Sequence, residues 1–138
     1  MKYTIAARLH DIGKLTISNT ILNKPGALTF EELDLIQKHT YYTLISLSQI
    51  TGFEDITEWA SNHHEKLDGS GYPYGLNAKE LDFNSRLMAC LDIYQALTGT
   101  RPYRPSLTHQ QASKIILDMV SSNKLDAVIV NDMLSYFG

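Results

Sequence analysis

Residues 84–97 read NSRLMACLDIYQAL, and this stretch decides the fold class. Its apolar side chains recur at the spacing of one face of an α-helix. They are Leu87, Met88, Leu91, Tyr94 and Leu97. We expect Asn84 or Ser85 to cap the start of this helix, and the helix breakers that follow to end it. Those breakers are Gly99, Pro102 and Pro105.

The same helical period returns on both sides of this stretch. Thr29 and Glu32 form a capping-box pattern, and one apolar stripe continues from there to Gly52. A short helix is expected over residues 5–9, closed by Gly13. Further helix starts are expected at Asp55 with Glu58, at Thr108 with Gln111 and near Asp126. No hairpin pattern is present, so the sequence predicts an all-α fold, a compact helical bundle in a single domain over residues 1–138.

The composition excludes several classes of function. The chain has 138 residues, 43% of them hydrophobic and 20% charged, which is typical of a soluble globular domain. Its formal net charge of -3 argues against binding of duplex nucleic acid, which needs a basic face. The single cysteine, Cys90, permits no internal disulfide and is expected to fill the core. With no apolar run long enough to enter a membrane, a cytoplasmic location is predicted.

Histidine and aspartate residues lie inside these apolar segments, where an unpaired charge is costly to bury. Asp92 lies within the stretch quoted above, and the pair His10-Asp11 follows the apolar residue Leu9. Three more histidines occupy positions that can face the interior. They are His39, His63 and His64. Imidazole and carboxylate ligands without thiolate suit iron, manganese, zinc or nickel, so these six residues are candidate metal ligands.

Two metal ions are expected rather than one. Adjacent side chains such as His63 and His64 point about 100° apart on a helix, so they could serve two ions. A single aspartate could bridge the two ions through its two oxygens. Such a pair of ions would hold a hydroxide between them and neutralise phosphoryl oxygens.

Each candidate also has a purely structural interpretation. A lone interior histidine such as His39 is commonly a hydrogen-bonded core residue, and Asp92 could be held by its own helix or by an arginine. The whole cluster is harder to explain in this way, because every buried polar group needs a partner. The fifth histidine, His109, is expected at the surface.

Basic residues close to these candidates form a second set. Lys14 follows the His-Asp pair and could contact a phosphate. Arg101 and Arg104 follow the helix of Asp92, and arginine suits phosphate groups or guanine edges. The alternative for both arginines is a solvated basic turn. Lys66 is expected to face solvent.

Several motifs resemble those of a known family. Residues 10–14, HDIGK, resemble the opening motif of the HD-domain metal-dependent phosphohydrolases. Residues 63–73, HHEKLDGSGYP, resemble the signature of the HD-GYP subfamily. Residues 23–29, NKPGALT, and residues 92–98, DIYQALT, leading into RPYR at 101–104, are also similar to that subfamily. The His-Asp dipeptide alone is a weak signal, but the long block after it is specific.

The resemblance implies an all-α HD core that hydrolyses cyclic di-GMP to linear pGpG or GMP with bound metal ions, iron or manganese foremost. By position, it implies that the six candidates are the metal ligands, with Asp11 bridging. Lys14 would contact the scissile phosphate, which makes Asp11 and Lys14 the catalytic candidates. Arg101 and Arg104 would contact substrate. The loop residues Gly71, Tyr72 and Pro73 would shape the pocket, and in the family this loop is also linked to partner contacts.

The chain departs from the family's pattern at one point. The family usually places a further glutamate and histidine on a helix well before the His-Asp pair, and the residues before His10 include neither. We therefore expect an N-terminally truncated domain that binds two metal ions without a third. Apolar surface left uncovered could then support a homodimer, and regulatory domains could flank this one.

Two other functions stay open. One is a catalytically weak module that binds a cyclic dinucleotide or a partner protein. The other is hydrolysis of a different phosphoester.

Overall fold

The structure, a computed structural model, describes residues 1–101 and 104–138, and over these residues it is all-α as predicted. Pro102 and Tyr103, which belong to the arginine motif, lie outside the described residues. The helices, in chain order, are α1 Lys2–Leu9, a 3₁₀ helix Ile12–Thr16, α2 Asn19–Leu22, α3 Phe30–Gln37, α4 His39–Ser48, α5 Glu54–Ser61, α6 Phe83–Thr98, α7 His109–Ser121 and α8 Ala127–Phe137.

Helix α6 contributes to both apolar clusters of the core. One cluster joins it to α7 and α8 and contains Cys90, Ile116, Leu125, Ile129, Val130 and Met133. The other joins it to α1, α4 and α5 and contains Ala6, Leu47, Ile56, Ala60 and Met88. Cys90 is fully buried and unpaired, which confirms its prediction as a core residue. Within the described part of the chain, no helix combines the length and apolar character needed to cross a membrane.

Three predicted helix starts are confirmed. Thr29 caps α3 in a complete capping box with Glu32, and Thr108 caps α7 in the same way with Gln111. Asp126 caps α8 through hydrogen bonds from two main-chain amides. In each case the side chain satisfies amides that have no partner within the helix.

Two predicted helix caps are wrong, and in both cases a contact distant in sequence involves the residue concerned. Asp82, rather than Asn84 or Ser85, caps α6, and its second oxygen accepts a hydrogen bond from the indole of Trp59 at 2.8 Å. Helix α5 begins without a side-chain cap. The expected cap residue Asp55 instead pairs with Lys2 at 2.8 Å.

The apolar stripe after Thr29 forms two helices rather than one. His39 Nδ1 binds the carbonyl of Ile36 at 2.6 Å, and Thr40 Oγ1 binds that of Gln37 at 3.0 Å. These side chains thus bind main-chain carbonyls that would accept hydrogen bonds from main-chain amides in a continuous helix, and the helical hydrogen-bond pattern ends there. The break places His39 at the start of α4.

The N-terminal prediction is wrong in its bounds. Helix α1 begins at Lys2, and Gly13 lies inside the 3₁₀ helix instead of closing α1. A Cβ atom at Gly13 would lie 1.9 Å from the carbonyl oxygen of His39, so only glycine permits this approach to α4. The contact brings the His10-Asp11 segment against the first turn of α4.

Candidate metal centre

The structure brings all six predicted metal ligands together from four places in the fold. His10 and Asp11 follow α1, His39 begins α4, His63 and His64 follow α5, and Asp92 lies in α6. They form two overlapping sets in which the ligand atoms lie within 4.8 Å of one another. The first set is Asp11, His39, His63 and His64, and the second is His10, His63 and Asp92.

The first set has the character of a cation site. His39 and His63 are buried, and their Nε2 atoms lie 3.4 Å apart. Asp11 Oδ1 lies 3.3 Å from His39 Nε2 and 3.5 Å from His63 Nε2, yet this buried oxygen makes no hydrogen bond within the described part of the chain. A buried carboxylate oxygen without a partner is costly, and a metal ion would supply one.

The second set approaches the other oxygen of Asp11 through His10. His10 Nε2 is 3.2 Å from Asp92 Oδ1 and 3.5 Å from Asp11 Oδ2. The rings of His10 and His63 meet edge to face at 4.7 Å. The two oxygens of Asp11 therefore face different ligand sets.

Main-chain carbonyls orient three of the four imidazoles. Nδ1 of His10, His39 and His63 lies 2.6, 2.6 and 2.7 Å from the carbonyl oxygen three residues earlier. A carbonyl can only accept, so each Nδ1 donates, and each neutral ring presents an unprotonated Nε2 to the site. This is how metal-binding histidines are commonly held.

The charges suit a cation. Burial raises the pKa of Asp11, but basic neighbours, among them the Lys14 ammonium at 2.8 Å, stabilise its carboxylate more, and the pKa falls well below its ordinary value. Burial lowers the pKa of His63, and burial together with His63 lowers the pKa of His64 to about 2. At neutral pH, therefore, the carboxylate of Asp11 is charged and these two imidazoles are neutral, as metal ligands must be.

Lys14 lies beside Asp11 at the edge of a cleft. Its Nζ is 2.8 Å from Asp11 Oδ2, and it lines an open cleft of about 610 Å³ between α1 and α2. An ammonium group at this cleft can contact an anion next to the candidate metals.

The two arginines differ in their surroundings. Arg101 lines a second cleft, of about 410 Å³, together with His10 and Asp92. Arg104 instead donates from Nη2 to the carbonyl of Ala96 at 2.8 Å. Only Arg101 is placed in the cleft beside the metal ligands. Gln95 lines the same cleft but is not among the predicted site residues. Its position one helical turn after Asp92 places both side chains on one face of α6, and this spacing could have revealed it.

The loop with Gly71, Tyr72 and Pro73 lies against the second histidine of the pair. The ring of Tyr72 stacks on that of His64, with centroids 4.9 Å apart and 25° between the planes. Burial raises the pKa of Tyr72 to about 12, so its hydroxyl stays protonated. Glu65, which the sequence analysis also missed, is buried under this loop.

Two expectations about other residues are wrong. Lys66 does not face solvent; it is half-buried, and burial lowers the pKa of its ammonium group. His109 is half-buried rather than at the surface, with Nδ1 2.9 Å from the hydroxyl of Tyr94. His109 lies outside both ligand sets.

An all-α domain that gathers four imidazoles and two carboxylates in its interior belongs to the class of metal-binding helical domains. The family model described as HD domain matches residues 1–129, and the chain belongs to the HD domain family. The resemblance to the HD-GYP subfamily is confirmed. Membership implies binding of divalent metal ions, and the two ligand sets could hold them.

Curated relatives match along most of the chain. The 3′3′-cGAMP-specific phosphodiesterase 1 of Vibrio cholerae is 43% identical over 94% of this chain and 31% of its own length. A cyclic di-GMP phosphodiesterase of the same organism is 36% identical over 94% of this chain and 28% of its own length. A cyclic di-GMP phosphodiesterase of Thermotoga maritima is 42% identical over 72% and 27%. The chain thus spans about a third of the length of these relatives.

Proposed function

We propose that this domain is a metal-dependent phosphodiesterase that hydrolyses a cyclic dinucleotide. Cyclic di-GMP is the first candidate, with linear pGpG or GMP as the product. The observation that carries the proposal is that the two oxygens of Asp11 face two different ligand sets. Paired divalent ions, when bound, lower the pKa of water and neutralise charge on phosphoryl oxygens.

Each ligand set accounts for one ion. His39, His63 and His64 with Asp11 Oδ1 would hold the first. His10 and Asp92 of the second set would hold the second, joined by Asp11 Oδ2, which lies 3.5 Å from His10 Nε2. His63 lies within reach of both sets, and we place it in the first because its Nε2 points toward that of His39 at 3.4 Å. Nitrogen and oxygen donors suit iron, manganese, zinc or nickel, and the resemblance to the HD-GYP subfamily favours iron or manganese among them.

The basic residues would act on the substrate directly. Lys14, beside Asp11 at the open cleft, would bind a non-bridging oxygen of the scissile phosphate and stabilise the charge that develops on it. Arg101 would hold the second phosphate or a guanine edge in the neighbouring cleft. Arg104, bound to Ala96, would support the turn that carries Arg101. Gly71, Tyr72 and Pro73 would form the wall beside His64.

A second candidate substrate is 3′3′-cGAMP. A relative named for that substrate is 43% identical to this chain. The cleft beside Asp92 also carries one glutamine and one arginine, Gln95 and Arg101. A glutamine amide matches the N6 and N7 edge of adenine, as an arginine matches O6 and N7 of guanine. A dinucleotide with one base of each kind would suit such a cleft.

The test is turnover by purified protein reconstituted with Mn²⁺ and given cyclic di-GMP or 3′3′-cGAMP separately. We expect a linear dinucleotide from at least one substrate, and none from the matched variant His63→Ala. Full metal occupancy with no turnover of either substrate would contradict the proposal. Binding of a cyclic dinucleotide under those conditions would instead support the module that binds without catalysis.

The setting of the domain is also a proposal. The domain would lie in the cytoplasm. Regulatory domains would flank it, as the relatives are about three times as long as the region they share with this chain. A homodimer would cover exposed apolar side chains of α6 and α8, among them Phe83, Val128 and Tyr136. Sedimentation of the purified chain would test the dimer.

A further inference from the structure

The ring of His64 is held differently from the other three imidazoles. Within the described residues, no hydrogen bond to the His64 ring is found, whereas carbonyls orient His10, His39 and His63. The ring of Tyr72 lies on His64 instead, at 4.9 Å and 25°. The rings of His63 and His39 also contact it, tilted at 4.0 Å and edge to face at 5.1 Å, so among these neighbours Tyr72 alone stacks nearly parallel. A metal-binding imidazole needs a fixed orientation, and such stacking can supply it.

Main-chain contacts place Tyr72 on this ring. The amide of Tyr72 donates to the carbonyl of His64 at 3.2 Å. Gly71 approaches the same segment so closely that a Cβ atom there would lie 2.4 Å from that carbonyl oxygen. Farther along, the amide of Ala78 donates to Leu67 at 2.9 Å, which closes the loop at its base.

The carboxylate of Glu65 fixes the loop from the inside. Its Oε1 accepts a hydrogen bond from the amide of Tyr74 at 2.7 Å, and its Oε2 accepts one from Leu76 at 2.9 Å. The residue is 1% exposed, and the described residues include no ion pair to it. The two amides therefore supply the hydrogen bonds that a buried carboxylate requires.

We propose that Glu65 is a positioning residue for the metal centre. It holds the loop that carries Tyr72, and Tyr72 in turn sets the ring orientation with which His64 binds its ion. Glu65 itself contacts neither metal nor substrate. The inference rests on the proposed function only in that His64 binds a metal, and it does not require turnover.

The first test uses the purified chain and Mn²⁺ alone. Glu65→Gln should speed hydrogen exchange of the amides of Tyr74 and Leu76, because an amide side chain cannot accept at both positions. It should also weaken Mn²⁺ binding at the site of His64 by about tenfold, the lower end of the range for lost supporting contacts. The matched control is Glu80→Gln, since exposed Glu80 accepts from the amide of Asn77 at 2.9 Å without touching Tyr72, and its Mn²⁺ affinity should equal that of wild type.

The second test separates stacking from folding. Tyr72→Ala should weaken Mn²⁺ binding as much as Glu65→Gln, whereas Tyr72→Phe keeps the ring and should bind like wild type. The double variant that combines Glu65→Gln with Tyr72→Ala should lose no more Mn²⁺ affinity than Tyr72→Ala alone, because both changes act through the ring of Tyr72.

Three results would overturn the proposal: faster exchange in Glu65→Gln with unchanged Mn²⁺ affinity, losses that add in the double variant, or equal affinities of Tyr72→Ala and Tyr72→Phe. Equal affinities in the last comparison would overturn the proposal even if Glu65→Gln fails to fold. None of these readouts is turnover, so an inactive phosphodiesterase would leave the result intact.

Discussion

His39 and His63 present their Nε2 atoms to each other at 3.4 Å. When both rings are neutral and the Nδ1 atom of each donates to a carbonyl, both Nε2 atoms carry lone pairs that point into the same space. Two such lone pairs repel each other unless a cation lies between them. The fold therefore holds these two lone pairs close together, and a bound metal ion would remove their repulsion.

Divalent metal should accordingly stabilise the folded chain. At a free concentration of about 100 times Kd, Mn²⁺ should add about 2.7 kcal/mol to the free energy of unfolding, because it binds the folded state. Thermal melts with Mn²⁺ and with chelator would measure the difference. The variant His39→Ala should show a much smaller increase in Tm, and an equal increase would contradict the assignment of this set.

The ligand sets also predict distinct metal contents. Asp11→Asn should lose both ions, because one Asp11 oxygen faces each set. His64→Ala should lose only the first ion, and Asp92→Asn only the second. Metal analysis after reconstitution with Mn²⁺ and desalting would count the ions. Asp118→Asn, an exposed acid on α7, is the control and should keep both. Retention of both ions by Asp11→Asn would show that this residue does not bridge the sets.

Replacement of the two arginines of the RPYR motif should have different effects on KM. Arg101→Ala should raise KM for the cyclic dinucleotide about tenfold, which corresponds to a lost charged hydrogen bond, with little change in kcat. Arg104→Ala should mainly lower Tm, because Arg104 binds the carbonyl of Ala96. Steady-state kinetics and thermal melts of both variants would measure this. Equal KM effects would place both side chains on the substrate.

Much of this fold and site could be predicted because the signals are local. Helical spacing is a property of neighbouring residues, and an aspartate inside an apolar run, such as Asp92, reports its unusual environment directly. Asp82 was missed as a cap because nearby polar residues compete for that role. Its contact with Trp59, distant in sequence, decides the outcome. Glu65 was missed for a similar reason, since its partners lie on a loop that returns to it.

Thr43 is another supporting residue that only the fold reveals. Its Oγ1 accepts from the amide of Gly13 at 3.0 Å and donates to the carbonyl of His10 at 3.2 Å. Thr43→Val should cost about 1–3 kcal/mol, because it leaves buried main-chain groups unpaired. Thr57→Val is the matched control: Thr57 Oγ1 is buried and has no hydrogen bond to residues 1–101 or 104–138, so its loss should be neutral or stabilising. Chemical denaturation would measure both, and equal costs would contradict the role of Thr43.

Asp126 links α8 to α6 through an ion pair with Arg86. Its Oδ1 caps α8, and its Oδ2 pairs with Arg86 Nη1 at 2.9 Å. Burial raises the pKa of Asp126, but the amide of Ile129, the Arg86 guanidinium and the amide of Val128 lower it more. The folded-state pKa thus lies below the ordinary value. The carboxylate therefore contributes stability above about pH 4, and this contribution is lost as the pH falls through the folded-state pKa.

Asp126→Asn should remove this pH-dependent contribution while keeping a cap, because asparagine caps helices as well as aspartate does. At pH 7 we expect a loss of about 1 kcal/mol, in line with a partly buried ion pair. The difference in the free energy of unfolding between variant and wild type should become smaller below about pH 4, where the wild-type carboxylate begins to protonate. Urea denaturation from neutral to acidic pH measures this difference, with exposed Asp132→Asn on α8 as the control. A difference that stays constant or widens in acid would mean that the charge on Asp126 does not stabilise the fold.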